Sequence, residues 1–191
     1  MTQARQHHPV PRAWASCMAG AALLASALPG WAADLPPVRI TGHGRYTVER
    51  DGPLQDLPAG GTGVTSYTPS QGARLVETTT RIEARLCNRF GIWFDLPYAV
   101  PGHPASVTIR LTHPLLKNPD GRSGTVGTWP KVVGDAGGAA GFSFDEPWEA
   151  VPGTWTFAVM SEGKVLAEQA FEVAEPARTG PAQPGCGAPT S

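Results

Sequence analysis

The feature that most limits what this chain can become is its punctuation. Glycine and proline occur 23 and 20 times in 191 residues, leaving few places where a helix of three turns could run unbroken. Between these breaks apolar residues recur at every second position, the period of a strand. In "FGIWFDLPY" one face carries Phe90, Ile92, Phe94, Leu96 and Tyr98; in "ASVTIRLTH", Val107, Ile109 and Leu111; in "GTWTFAVM", Trp155, Phe157 and Val159. "KVLAEQAFEV" sets Val165, Ala167, Phe171 and Val173 against Glu168 and Glu172. "VETTTRIEARL" reads as one more strand, with Val76, Thr78, Thr80, Ile82, Ala84 and Leu86 opposite Glu77, Arg81, Glu83 and Arg85. "VRITGHGRYTV" supplies a first strand, "TVGTWPKVV" and "AGFSF" one or two more, and "MSEGK" a hairpin turn between the last two. One apolar and one wet face per strand belongs to antiparallel sheets packed on a single side. The expectation is an all-β chain: a single immunoglobulin-like antiparallel β-sandwich of seven or eight strands over residues 38–173.

Three segments fall outside that pattern. "MTQARQHHPVPR" carries Arg5 and Arg12 and no acid, the stretch from Ala13 to Leu28 is small or apolar, and "LPGWA" ends with Gly30 and Ala32 at the −3 and −1 positions. This is the layout of a secretory signal peptide, cleaved after Ala32, so residues 1–32 are assigned to it and the mature chain is expected in the periplasm or outside the cell. Residues 49–73 read as a long Pro/Gly/Thr/Ser loop, and residues 174–191 as a disordered Pro/Gly/Ala-rich tail. Losing Arg5 and Arg12 lowers Lys+Arg from 15 to 13 against 16 Asp+Glu, a net charge near −3. No basic stripe exists to neutralise phosphates, which argues against nucleic acid, and the mature part has no integral membrane segment. Two cysteines survive export, Cys87 and Cys186, and an oxidising compartment favours bridging them, the rival reading being that Cys186 bridges to another protein and a loop shields Cys87. Cys87 falls on the charged face of its strand, a position available for bonding.

Chemistry-bearing motifs are scarce. His43, His103 and His113 are isolated, the last two in the turn-like contexts "PGHP" and "THP", and "NPDG" (118–121) lacks the alternating oxygens of a calcium loop. There is no G-x-S-x-G elbow and no phosphate-binding glycine loop ahead of a helix. No cofactor or metal is implied. The densest constellation is "GFSFDEPWEAVPGTWTFAV" (141–159). Trp148 beside Asp145, Glu146 and Glu149 could stack a sugar, with Trp129 or Trp93 as further platforms. Alternation of Phe142, Phe144, Trp155 and Phe157 favours the other reading, in which the aromatics are core and the acids cap a turn.

"GRYTVE", "VETTTRIEARLCNRFGIWFDL" and "FSFDEPWEAVPGTWTFAV" together resemble the bacterial domain-of-unknown-function family 3859. The residues that carry the likeness are Gly44 and Tyr46; Thr79, Ile82, Phe90 and Gly91; and Phe144, Asp145, Trp148, Glu149, Pro152, Gly153 and Trp155. The resemblance spans about residues 40–173 and implies the fold while assigning no activity. Where Cys87 stands, it leads one to expect a small residue, often glycine. The reading that follows is a non-catalytic protein-interaction module of the cell envelope, its partner an unidentified envelope protein. Its rival is a carbohydrate- or peptidoglycan-binding domain using Trp129, Trp148 or Trp93, with a hydrolase third. Intact mass of the protein from its native envelope fraction is expected to place the N-terminus at Ala33; a chain retaining residues 1–32 would refute the cleavage.

Overall fold

The computed structural model describes residues 38–51, 70–97, 102–134 and 137–177. The strands, in chain order, are β1 (Arg39–Thr47), β2 (Arg50–Asp51), β3 (Ser70–Gln71), β4 (Arg74–Thr78), β5 (Arg81–Glu83), β6 (Arg89–Asp95), β7 (Ala105–Lys117), β8 (Ser123–Val133), β9 (Gly138–Ser143), β10 (Gly153–Ser161) and β11 (Lys164–Ala174). Two sheets result, one in the order β4-β1-β6-β9 and one in the order β5-β11-β10-β7-β8, with β2 and β3 forming a separate ribbon. Residues 1–32, read as a signal peptide, Cys186 and Tyr98, most of residues 49–73 and the residues beyond Ala177 lie outside the described residues. Both ends of the 49–73 stretch are ordered as the β2–β3 ribbon, which Glu49 N–H extends by donating to Gln71 O at 3.0 Å.

The two sheets hold nine strands rather than seven or eight, because the stretch read as a single strand from Val76 is two. At Thr79 the hydroxyl oxygen accepts the Arg81 N–H at 3.0 Å, giving the backbone a local partner in place of a ladder. The chain then steps from the first sheet to the second. β4 stays beside β1, while β5 runs parallel to β11, pairing Ile82 with Val173, the one parallel strand pair among the described residues. Every residue of β4 is exposed, so its alternation buries nothing; on the far side of the step Ile82 and Ala84 enter the core. The other alternating faces hold, apart from Val165, which a register shift at Val159/Met160 leaves exposed.

Between the sheets lies an aromatic core centred on Phe90. Its ring meets Phe144 at 5.4 Å and Phe142 at 6.3 Å from its own sheet, and Trp155, Phe157 and Phe171 at 5.8, 5.8 and 5.2 Å from the other. Edge-on contacts of this kind add about 0.5–1.5 kcal/mol per pair beyond the area they bury. Trp155 also anchors its own strand entry by donating its indole N–H to Val151 O at 3.0 Å. Deleting a ring that touches both sheets leaves a cavity that neither can close alone. Phe90→Ala is therefore expected to cost about 3–5 kcal/mol in urea unfolding, and a loss below about 1 kcal/mol would show that the core is centred elsewhere.

Candidate functional site

The acids of the 141–159 motif are brought together as a turn between β9 and β10. Glu149 is 6 % exposed, and its Oε2 accepts the N–H groups of Asp145 at 2.9 Å and Glu146 at 3.0 Å. Ser143 donates its hydroxyl to Asp145 Oδ1 at 2.7 Å, and Glu149 N–H closes the turn onto Glu146 O at 3.0 Å. A five-residue reversal at the end of a buried strand leaves two backbone donors with no ladder partner, and one carboxylate satisfies both. Burial raises the Glu149 carboxyl from 4.5 to about 7, against the two N–H bonds that favour its charge and with help from the nearby Asp145 and Glu146. A buried acid of this kind would suit proton transfer, but its oxygen here is committed to the backbone.

The proposed tryptophan platforms fare differently. Trp129 faces inward on β8, opposite Ile109, and at 9 % exposure is a core residue with no open face. Trp148 is half-buried against the core. Trp93 points outward from β6 and meets the Tyr46 ring edge-on at 5.8 Å. Beneath this pair runs a row of glycines across three strands, Gly44 opposite Gly91 and Gly91 opposite Gly141. A Cβ at Gly91 would collide with the Ala140 carbonyl, and one at Gly141 would lie 2.6 Å from the Tyr46 ring. Tyr46 thus packs on Gly141, while Gly44 and Gly91 let neighbouring backbone approach closely, which gives Gly44, Tyr46 and Gly91 a packing role.

His113 does not end its strand as its proline neighbour suggested. β7 continues through Pro114 because the pairing with β8 shifts register between Thr112 and Leu116, where a missing N–H is tolerated. His113 therefore keeps the inward face of Val107, Ile109 and Leu111, 4 % exposed, stacked on Trp155 at 5.1 Å. Burial lowers its pKa, although Nδ1 lies 2.8 Å from Pro114 O, a bond that favours the proton.

Cys87 is in a turn, not on the wet face of a strand. Its φ of 67° is left-handed, the region where glycine is at ease and a side chain costs about 1–2 kcal/mol. This is the physical reason a small residue is expected there. Backbone bonds hold the turn to the core: Cys87 N–H donates to Phe144 O at 2.9 Å and Phe144 N–H to Asn88 O at 3.1 Å.

Beside that turn opens a groove of about 600 Å³ between the β4–β5 step and the end of β11. Ile82 contributes to its lining, Arg45 and Glu77 pair at 3.0 Å in one wall, and Arg85 and Glu83 pair at 3.2 Å in another. Sequence reasoning saw Arg81, Glu83 and Arg85 only as a wet face; that their alternation borders a concavity depends on where β11 ends. Among the described residues, no three His, Cys, Asp or Glu side chains converge as a metal would need, and no helix is long and apolar enough to cross a membrane.

Two sheets of this topology around one core define an immunoglobulin-like β-sandwich. A solved immunoglobulin-like protein from Pseudomonas aeruginosa is similar at 23 % identity and a TM-score of 0.53, over 74 % of this chain and 99 % of that one. The family model described as "Domain of unknown function (DUF3859)" matches residues 38–173, and the chain belongs to that family. No curated protein matches it.

Opposite linkage at Glu149 and His113 gives a sharp pH test. Between pH 4.5 and about 7 the folded protein holds the Glu149 proton more tightly than the unfolded chain, so this group's stabilisation, full below 4.5, is lost as pH rises to about 7. It amounts to at most about 3 kcal/mol. His113 works the other way: its contribution is present above 6.5 and lost as pH falls through its lowered value. Urea midpoints of Glu149→Gln should rise with pH up to about 6.5, whereas those of His113→Phe should fall up to about 7. Identical pH profiles for the two variants would contradict both assignments.

Proposed function

We propose that the mature chain is an exported, non-catalytic module of the cell envelope that binds another protein by adding one of its strands to β4. The observation that carries this is the pair of exposed apolar side chains that β4 presents at a sheet edge. Open edges invite pairing, and proteins blunt them by shortness, proline, lysine or bulges. β5 is three residues long, and β8 carries Pro130 and Lys131. β9, like β4, has neither proline nor lysine, but it is β4, although bulged at Val76, that displays Leu75 and Val76 at 38 % and 57 % exposure. An extended segment pairing there would gain ladder hydrogen bonds from the backbone and specificity from these side chains. Export rests on the charged, apolar and small-residue layout of residues 1–32. The absence of catalysis is our reading of a turn whose buried carboxylate, Glu149, is committed to the Asp145 and Glu146 N–H groups.

The Tyr46–Trp93 pair supports glycan binding as the second reading, since two half-buried aromatic rings beside the Gly141 backbone suit sugar stacking. A photo-crosslinking residue at Val76, in the envelope of the source cells, is expected to give one discrete protein adduct that the same residue at Val132, exposed on the other sheet, does not. Leu75→Lys should lower its yield about tenfold, the worth of one buried aliphatic side chain. Equal labelling at both sites, together with quenching of Trp93 fluorescence by envelope glycans, would favour the second reading instead.

A further inference from the structure

The groove beside the Cys87 turn carries charges that cancel. Among the described residues its lining holds three arginines, Arg45, Arg81 and Arg85, and three glutamates, Glu77, Glu83 and Glu175. Arg45 pairs with Glu77 at 3.0 Å and Arg85 with Glu83 at 3.2 Å. Setting these pairs aside leaves one cation, Arg81, and one anion, Glu175, both exposed and in no ion pair among the described residues. An open site with one unmatched charge of each sign is complementary to a ligand that carries both. We propose that the groove binds a short peptide with free ends, its carboxylate on Arg81 and its ammonium group on Glu175. The inference does not depend on a strand being added to β4.

The pairing of the strands sets the length of that peptide. β5 runs parallel to β11 with Arg81 opposite Glu172, and Glu175, one residue past the end of β11, lies three residues further on. At about 3.3 Å per residue the two positions are about 10 Å apart along the strands, and three extended residues span about the same. A single amino acid holds its two charges too close together to reach both. The remaining lining suits a peptide backbone. Asn88 commits its Nδ2 to Glu83 O at 2.9 Å, which leaves Oδ1 to accept a peptide N–H. Arg85 Nε is buried with no hydrogen-bond partner among the described residues. Such an orphan donor is costly, and a small shift of the side chain toward a ligand carbonyl would satisfy it. Ile82 and Ala174 add apolar surface for small side chains, and about 600 Å³ is within the range of small-ligand sites.

Trialanine is the probe, compared with its N-acetyl form, its C-terminal amide and free alanine, each titrated into the purified mature protein and followed by backbone amide NMR shifts. Trialanine should bind at least about tenfold more tightly than any of the other three, because each lacks one charged contact or the span to make both. In Arg81→Gln, trialanine should bind no better than its amide, while blocking the amine still weakens it. Glu175→Gln should reverse that pattern. Both side chains are exposed, so the urea midpoints of the two variants should match that of the parent protein. No shift of the groove residues at about 10 mM trialanine would overturn the site. Equal affinity for free alanine would overturn the spacing on which the peptide rests. Binding that neither substitution weakens would overturn the assignment of Arg81 and Glu175.

Discussion

Everything else in this molecule depends on one ring reaching across the sandwich. Phe90 takes two aromatic neighbours from its own sheet and three from the other, so the sheets cannot separate without losing contacts on both sides. The arrangement has a local consequence. Phe142 lies near the end of β9, Phe144 follows directly after it, and Trp155 begins the inward face of β10, so the chain must reverse within a few residues directly over the core. A reversal so close to apolar surface strands backbone donors away from water. Glu149 supplies the acceptor, and the cost of burying its charge is the raised pKa. The acid-and-aromatic motif is thus one device for reversing the chain above a packed core.

The same core disciplines the surface. Phe144 exchanges backbone bonds with Cys87 and Asn88, so the turn beside the groove is held by the residue that packs on Phe90. That anchoring explains how a cysteine can persist at φ 67°. A strained conformation survives where its surroundings over-determine it, and here two hydrogen bonds to a fully buried strand end do so.

Much of the fold was legible because a buried face announces itself by period two. Phe90, Ile92 and Phe94, or Trp155, Phe157 and Val159, could hardly be placed otherwise. The Thr79 step was missed because a hydroxyl that satisfies the next N–H but one leaves no trace in hydrophobic alternation; threonines read as strand formers on either side of it. Pro114 misled in the opposite direction. Proline usually marks an end, but a register shift let β7 pass through it and carry His113 inward. Cys87 failed because the strand it was assigned to ends at Glu83 and the chain turns before β6; Trp129 failed because exposure is a property of the partner sheet, and alternation within one strand says only which residues share a face. The groove was illegible altogether, since it exists only because β11 stops opposite β5.

Glu77 ties the outer features into one region. It lies on the unprotected edge strand, opposite Arg45 on β1, and it also lines the groove, with Thr79 following just beyond the strand's end. Its ion pair is exposed and worth little by itself. Its position matters more: the side chain borders the groove from the strand that displays Leu75 and Val76, so the edge and the groove meet at one residue. An edge strand is most dangerous when it is flat, uncharged and apolar, and the Arg45–Glu77 pair puts both signs of charge at the end of β4 nearest the groove.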